Sequence, residues 1–284
     1  MTRDMTRDMA RGVTRGMTHT MLPPIESARV DAATVYAPAV LLARVADLVR
    51  SHGSLYDWAS SEPQPRALRG RAPVYVAALP QGGPTVVVRH AWHGGLLAPL
   101  TQDLFRRPTR APLELARSRE LHVMSIPTTE VLGYVLYDAV FGLARVDVMT
   151  RYVPDTADLG MVLAGLAPAI ECEAALDATL DLLTNLAAHR VIHPDLNVKN
   201  ILLHTPEGAP ARAMVIDVDV VQLHAASPAQ AMERNVARLS RSLRKWKRQF
   251  GCDLSDTSIT AFAAAAMART PGETPTHQSA GGRT

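Results

Sequence analysis

The chain has 284 residues, with 30 Lys or Arg against 27 Asp or Glu and a formal charge of +3. So small an excess argues against a protein that coats nucleic acid, which needs a concentrated basic face. No apolar run reaches the roughly 18 residues of a membrane span, and Cys172 and Cys252 fit neither a disulfide framework nor a C-x-x-C site, as expected in a reducing compartment.

Residues 1–21 read as a near-repeat of four, MTRD-MTRD-MARG-VTRG-MTHT-M. This stretch has no apolar core, so it is not a signal peptide; it is expected to be disordered, and Met21 offers an alternative start. Residues 36–51 are expected to be helical and Ser60–Arg71 a Pro/Arg linker. β-rich runs at 73–79 and 84–90 flank Pro80-Gln81-Gly82-Gly83, a hairpin signal. A helix is expected at 111–122 and strands at 130–137 and 143–150. From Asp158 to His189 the chain is Ala/Leu-rich and helical, broken at Pro168. A strand at Ile201–His204, a loop and a strand at Ala213–Ile216 lead to helices at about 228–250 and 256–269. The tail from Thr270 to Thr284, rich in Pro, Gly, Ser and Thr, is expected to be disordered. The composition changes near Arg151–Thr156. This predicts an α+β chain with a mostly β lobe over 22–151, begun by a helical extension, and a mostly helical lobe over 152–269.

The strongest local signal is His193-Pro194-Asp195-Leu196-Asn197-Val198-Lys199-Asn200, followed by the apolar Ile201-Leu202-Leu203 and then Val215-Ile216-Asp217-Val218-Asp219. Phosphoryl transfer needs a carboxylate beside the attacking hydroxyl and hard oxygen ligands for the Mg²⁺ that bridges the phosphates of ATP. An Asp, an Asn five residues on and a strand pair ending in a second Asp can gather all three around one phosphate. Asp195 is the candidate base, Asn200 and Asp217 the candidate metal ligands, and His193 a brace for the loop.

A protein-kinase-like, two-lobed fold makes further demands. A cation on the third strand of the first lobe should meet the phosphates of ATP, and a helix should offer it a Glu. Val86-Val87-Val88-Arg89 has the V-A-I-K shape, but only Lys199, Lys245 and Lys247 are lysines, so the role falls to Arg89. Arginine meets phosphate bidentately but is no free substitute for lysine. Glu114 is the first choice of partner and Glu120 the second, while Gly70 is a candidate for a phosphate-covering turn.

Arg89-His90-Ala91-Trp92-His93-Gly94-Gly95-Leu96, continuing to Leu100 and Asp103, resembles the R-H-x-x-x-G-G-L-x-x-x-L-x-x-D stretch of the 3-deoxy-D-manno-octulosonic acid (Kdo) kinases, within the lipopolysaccharide kinase group of the protein-kinase-like fold. His193–Leu203 is similar to that family's H-x-D-L-N-x-x-N-I-L-L, Asp217-Val218-Asp219 to its D-F-D, and Asn235–Ser242 to its N-x-x-R-L-x-R-S helix. Together these cover residues 70 to 250. The resemblance implies transfer of the γ-phosphoryl of ATP, with Mg²⁺, to the 4-hydroxyl of Kdo on a lipid A precursor, at the cytoplasmic face of the inner membrane of a Gram-negative bacterium. His90, Lys199, Arg238 and Arg241 are candidate substrate contacts. The chain departs from the pattern where Val218 replaces an aromatic and where His93 and Pro99 stand in place of basic residues.

In the segment Arg238–Phe250, Leu239, Leu243, Trp246 and Phe250 share one helical face, and six cations cover much of the rest. The stripe is expected to pack on the helical lobe and the cations to meet an anionic membrane surface or an acidic lipid head group. Two other readings are a kinase-like enzyme with another sugar, small-molecule or protein acceptor, and a catalytically silent nucleotide-binding scaffold. Arg89 and Val218 favour the scaffold; the intact Asp195, Asn200 and Asp217 count against it.

Overall fold

The structure is a computed structural model and describes residues 22–62, 66–68, 73–92, 103–167, 169–206, 209–252 and 254–272. The readings placed on residues 1–21, on Gly70, His93, Gly94, Gly95, Pro99 and Pro168, and on the tail beyond residue 272 lie outside these residues.

The N-terminal half is built on one antiparallel sheet. β1 (Ile25–Val30) and β2 (Ala33–Pro38) form a hairpin across Asp31, whose φ of 48° sits in the left-handed region that Asp tolerates. The sheet runs β1-β2-β7-β8-β5-β4-β3, with β3 (Arg66–Leu68), β4 (Val74–Ala78), β5 (Thr85–His90), β7 (Val131–Asp138) and β8 (Leu143–Arg151). The short β6 (Phe105–Arg106) pairs with β8. The helix expected at 36–51 starts later: Tyr36, Ala37 and Pro38 belong to β2, which pairs with β1, and Tyr36 also with β7. Helix α1 (Ala39–His52) begins behind Pro38. A helix, α2 (Leu55–Ser61), runs into the first two residues of the expected linker Ser60–Arg71, which also holds β3; α2 is capped by Ser54, whose Oγ accepts from Asp57 N at 2.9 Å.

Alternation along the strands gives the sheet two different faces. Val35, Ala37, Val86, Val88, Leu132, Val135 and Met149 pack beneath α1 and α2, where Leu55 and Trp58 are buried. Tyr134, Leu136, Val146 and Val148 face the other way, onto Ala111 and Leu115 of α3 (Ala111–Val123). Each such large apolar side chain contributes about 1.5–3 kcal/mol on burial. Gly133 is fixed by close approach: a Cβ there would lie 2.3 Å from the Tyr36 carbonyl oxygen.

Past Arg151 the fold becomes helical, as the composition predicts. α4 (Leu159–Leu163), α5 (Cys172–Ala188), α6 (Pro228–Phe250) and α7 (Asp256–Ala268) surround a small sheet, β11-β10-β9, made of β9 (Thr156–Asp158), β10 (Ile201–His204) and β11 (Arg212–Val215). Their core holds Leu183, Leu186, Leu196, Ile201, Leu203, Met232 and Leu239. The apolar stripe of α6 packs inward, with Leu239 and Leu243 buried and the Trp246 indole N–H donating to Gly160 O at 2.9 Å. Phe250, at the edge, is 53% exposed and rests on the Trp246 ring at 4.1 Å between centroids. Among the described residues no helix is long and apolar enough to cross a membrane.

Candidate active site

The loop after α5 is tied down before it presents any chemistry. His193 is fully buried; its backbone N–H donates to Asn235 Oδ1 at 2.9 Å, and its Nε2 lies 3.0 Å from the Ile216 carbonyl, to which it donates. Burial pushes the His193 pKa down, so the ring is neutral, with Nδ1 left as an acceptor without a partner. Asn235, also fully buried, sends its Nδ2 to Val191 O at 2.9 Å, so one α6 side chain clamps the loop on both sides of Ile192. Val198 N is held by Ser242 Oγ at 3.2 Å.

Within the loop, Asp195 O accepts from Asn197 Nδ2 at 2.9 Å and from Asn200 Nδ2 at 3.0 Å. Asn200 N donates to Asn197 O, and Asn200 O accepts from Ile216 N, each at 3.0 Å. The buried Asn200 is thereby held between Asp195 and the strand leading to Asp217. The Asp195 carboxylate is exposed and paired with Arg238 of α6, whose Nε also donates to Pro194 O at 3.1 Å. Asp217 is exposed, in the left-handed region at φ 58°, and opens a single 3-10 turn, Val218–Val220. Val218, in place of an aromatic, is buried in the core of the helical lobe.

The sheet brings the opposite wall. Arg89 on β5 pairs with Glu114, which stands in the first turn of α3 with its carboxylate buried. Burial pushes the Glu114 carboxyl up, the Arg89 guanidinium opposes this, and the charges of Asp217 and Asp219 add to the upward push. Burial works against the Arg89 charge, but Glu114 foremost, and then Asp217 and Asp219, hold its pKa above the ordinary value. α3 packs against the 218–220 turn, and the same two aspartates act on both members of the pair. Arg110, just before α3, spans to Asp219 at 3.4 Å. Glu120 pairs instead with Arg117 at 2.6 Å.

The structure therefore gathers Arg89, Glu114 and the 217–219 turn, and ties Asp195, Asn200 and Asp217 into one loop system. His90 stands elsewhere. As the next residue on β5 it faces the α1/α2 side, with Nδ1 2.6 Å from Asp147 and Nε2 3.2 Å from Asp103. Burial lowers the His90 pKa, but the two carboxylates, Asp147 foremost, raise it overall. The fully buried Asp147 also accepts from Tyr56 N at 2.9 Å and from the Tyr137 hydroxyl at 2.8 Å. A substrate contact through His90 would require one of its two carboxylates to give way. Lys199 is exposed, with Nζ 5.4 Å from the Trp246 ring centroid. Arg238 and Arg241 line a groove against His193 and Pro194.

Sequence reasoning missed the jobs of Asn235, Arg238 and Asp147. Asp147 did carry a signal, a carboxylate inside the otherwise apolar run Val146-Asp147-Val148-Met149. Asn235 and Arg238 stood out as members of the N-x-x-R-L-x-R-S stretch, but their partners lie over forty positions away and no local pattern names them.

Among solved structures the chain is similar to one described as "WaaP in complex with acyl carrier protein", at 18% identity and a TM-score of 0.45, covering 73% of this chain and 80% of that one. No curated protein sequence matches the chain. The sequence profile of the lipopolysaccharide kinase (Kdo/WaaP) family matches residues 67–265, which takes in β3 to α7, the Arg89–Glu114 pair and the whole 193–219 loop system. On that match the chain belongs to the lipopolysaccharide kinase (Kdo/WaaP) family.

Proposed function

We propose that the chain transfers the γ-phosphoryl of ATP to a hydroxyl, expected to be the 4-hydroxyl, of Kdo on a lipid A precursor. The observation that carries the phosphotransfer reading is the convergence of Arg89 and Glu114 on the turn that holds Asp217, across from the braced Asp195–Asn200 loop. The Kdo acceptor rests on the R-H…G-G-L resemblance, since the Kdo/WaaP family as a whole does not single out one sugar.

Arg89, fixed by Glu114, orients the phosphates of ATP in this reading. Asp195 orients the acceptor hydroxyl and accepts its proton as the new P–O bond forms. Mg²⁺ suits the donors present: it takes one or two protein oxygens and completes its shell with water and phosphate. The exposed Asp217 carboxylate offers one oxygen; Asn200, whose Nδ2 is engaged by Asp195 O, keeps Oδ1 for another. Bound there, the ion would neutralise charge on the phosphates. His193 stays neutral and holds the loop. The cations toward the end of α6, Arg244, Lys245, Lys247 and Arg248, serve a peripheral contact with the anionic cytoplasmic face of the inner membrane.

The test is transfer of label from γ-labelled ATP, with Mg²⁺, to Kdo-bearing lipid A precursor. Label in the lipid, lost with Asp195→Ala, is the expected result. Label appearing only in another acceptor would overturn the Kdo assignment, and nucleotide binding with no transfer to any acceptor would overturn the enzymatic one.

A further inference from the structure

A groove of about 270 Å³ runs beside the catalytic loop, and Arg234, Arg238 and Arg241 line it from α6. Their spacing, i, i+4 and i+7, sets the three guanidinium groups along one helical face. Ile192, His193 and Pro194 contribute the loop side. Burial keeps the His193 ring neutral, so the positive charge of the groove comes from α6 alone. Among the described residues that line the groove there is no carboxylate to set against these three cations; that of Asp195, beside it, is held by Arg238. Arg234 and Arg241 are exposed and have no ion-pair partner among the described residues.

Three like charges lined up without three anions repel one another, and a planar fork of donors matches an oxyanion bidentately. Other cations nearby are provided for differently: Lys247 of α6 pairs with Asp256 at 3.3 Å, and Lys199 of the loop rests over the Trp246 ring. The groove also abuts the residue before Asp195, so a group held there lies close to a hydroxyl presented to that carboxylate. Arg238 touches both places, the groove and the base.

We infer that this groove is a subsite for an oxyanion carried by the acceptor, a carboxylate or phosphate near the reacting hydroxyl, and that Arg238 passes from Asp195 to that oxyanion when it binds. This rests on the phosphotransfer reading and deepens it: the site takes an anionic acceptor, and the acceptor's own charge frees the Asp195 carboxylate to receive a proton. An acceptor without the anion leaves Arg238 on Asp195 and reacts slowly even when its hydroxyl fits.

Inorganic phosphate is the direct probe, titrated calorimetrically into the full chain with the nucleotide cleft filled by a non-hydrolysable ATP analogue and Mg²⁺. Charge-assisted contacts of this kind are each worth roughly ten-fold or more in affinity. Arg234→Gln with Arg241→Gln should therefore weaken phosphate binding by about a hundred-fold, while Arg50→Gln on α1 leaves it unchanged and affinity for the ATP analogue is kept. Phosphate binding that is absent from the native chain, or undiminished in the double variant while its melting temperature holds, overturns the inference. In the transfer assay the same variants should raise KM for the acceptor with KM for ATP unchanged; an unaltered acceptor KM also overturns it. Should no acceptor be phosphorylated yet phosphate bind as stated, the enzymatic reading fails and the oxyanion subsite stands.

Discussion

The Asn235 clamp gives the sharpest quantitative test. Asn235→Ala removes the acceptor of His193 N–H and the donor to Val191 O, both bonds of 2.9 Å in a fully buried setting. Each backbone group left without a partner costs about 1–3 kcal/mol, so the pair together should cost about 2–6 kcal/mol. For a chain of this size each kcal/mol moves Tm by roughly 2–4 °C, which predicts a fall of roughly 4–24 °C by circular dichroism. Catalysis should suffer beyond stability, because a small displacement of the loop bearing Asp195 costs on the order of a hundred-fold in rate. Asn235→Asp keeps the acceptor for His193 but turns a carboxylate toward the Val191 carbonyl, and an unpaired buried charge is worse than a gap. It should melt no higher than Asn235→Ala. An alanine variant within 2 °C of the native Tm, or an aspartate variant more stable than the alanine one, would refute the assignment of both bonds to stability.

Further outcomes follow from other contacts. Glu114→Gln removes the negative partner of Arg89 and should raise KM for ATP about ten-fold or more, whereas Arg89→Ala should weaken ATP use further and Arg89→Lys test whether an amine can serve there; a Glu114→Gln enzyme with native ATP kinetics contradicts the pairing. His90, held by Asp147 and Asp103, has a folded pKa above its ordinary 6.5. Its contribution to stability is thus fully present below about pH 6.5 and is lost as pH rises through the folded value, so the Tm gap between the native chain and His90→Gln should narrow as pH rises above 6.5. His193 has the opposite sign: with its pKa pushed below 6.5, stability is present above that value and lost as pH falls through the folded value. Gly160→Ala would put a Cβ 2.7 Å from the Trp246 ring and should cost about 1–3 kcal/mol, read by denaturant unfolding. Reversing the charge of Arg244, Lys245 and Lys247 should abolish binding to anionic liposomes, and undiminished binding would remove α6 from the membrane contact.

Much of this fold was legible because the informative residues are close in sequence. The β5 run, the α3 helix, the 201–216 hairpin and the long α6 and α7 helices announce themselves by period and by their Gly and Pro neighbours. Asp195, Asn200 and Asp217 were legible together because one short hairpin carries them. The β1–β2 hairpin and α2 were not. β2 is a six-residue strand whose apolar run continues into α1, so local pattern cannot say where one stops. α2 has seven residues and owes its place to distant partners: Leu55 N donates to the Tyr137 hydroxyl at 2.8 Å and Tyr56 N to Asp147. His90 read as a site residue because it adjoins Arg89 in a motif, but a strand sends neighbours to opposite faces, and its carboxylates come from residues 103 and 147.

That divergence at β5 bears on how the site is assembled. Arg89 pairs across the sheet with Val148, and His90 with Asp147. A slip of one residue in this ladder would swap their faces, carrying the imidazole into the cleft and the guanidinium under α2. Asp147 would then be buried without its histidine and Glu114 without its arginine, two uncompensated carboxylates from a single error. Two adjacent side chains thus proofread the pairing of one strand, and the chain that reaches the right register has already set Arg89 against Glu114.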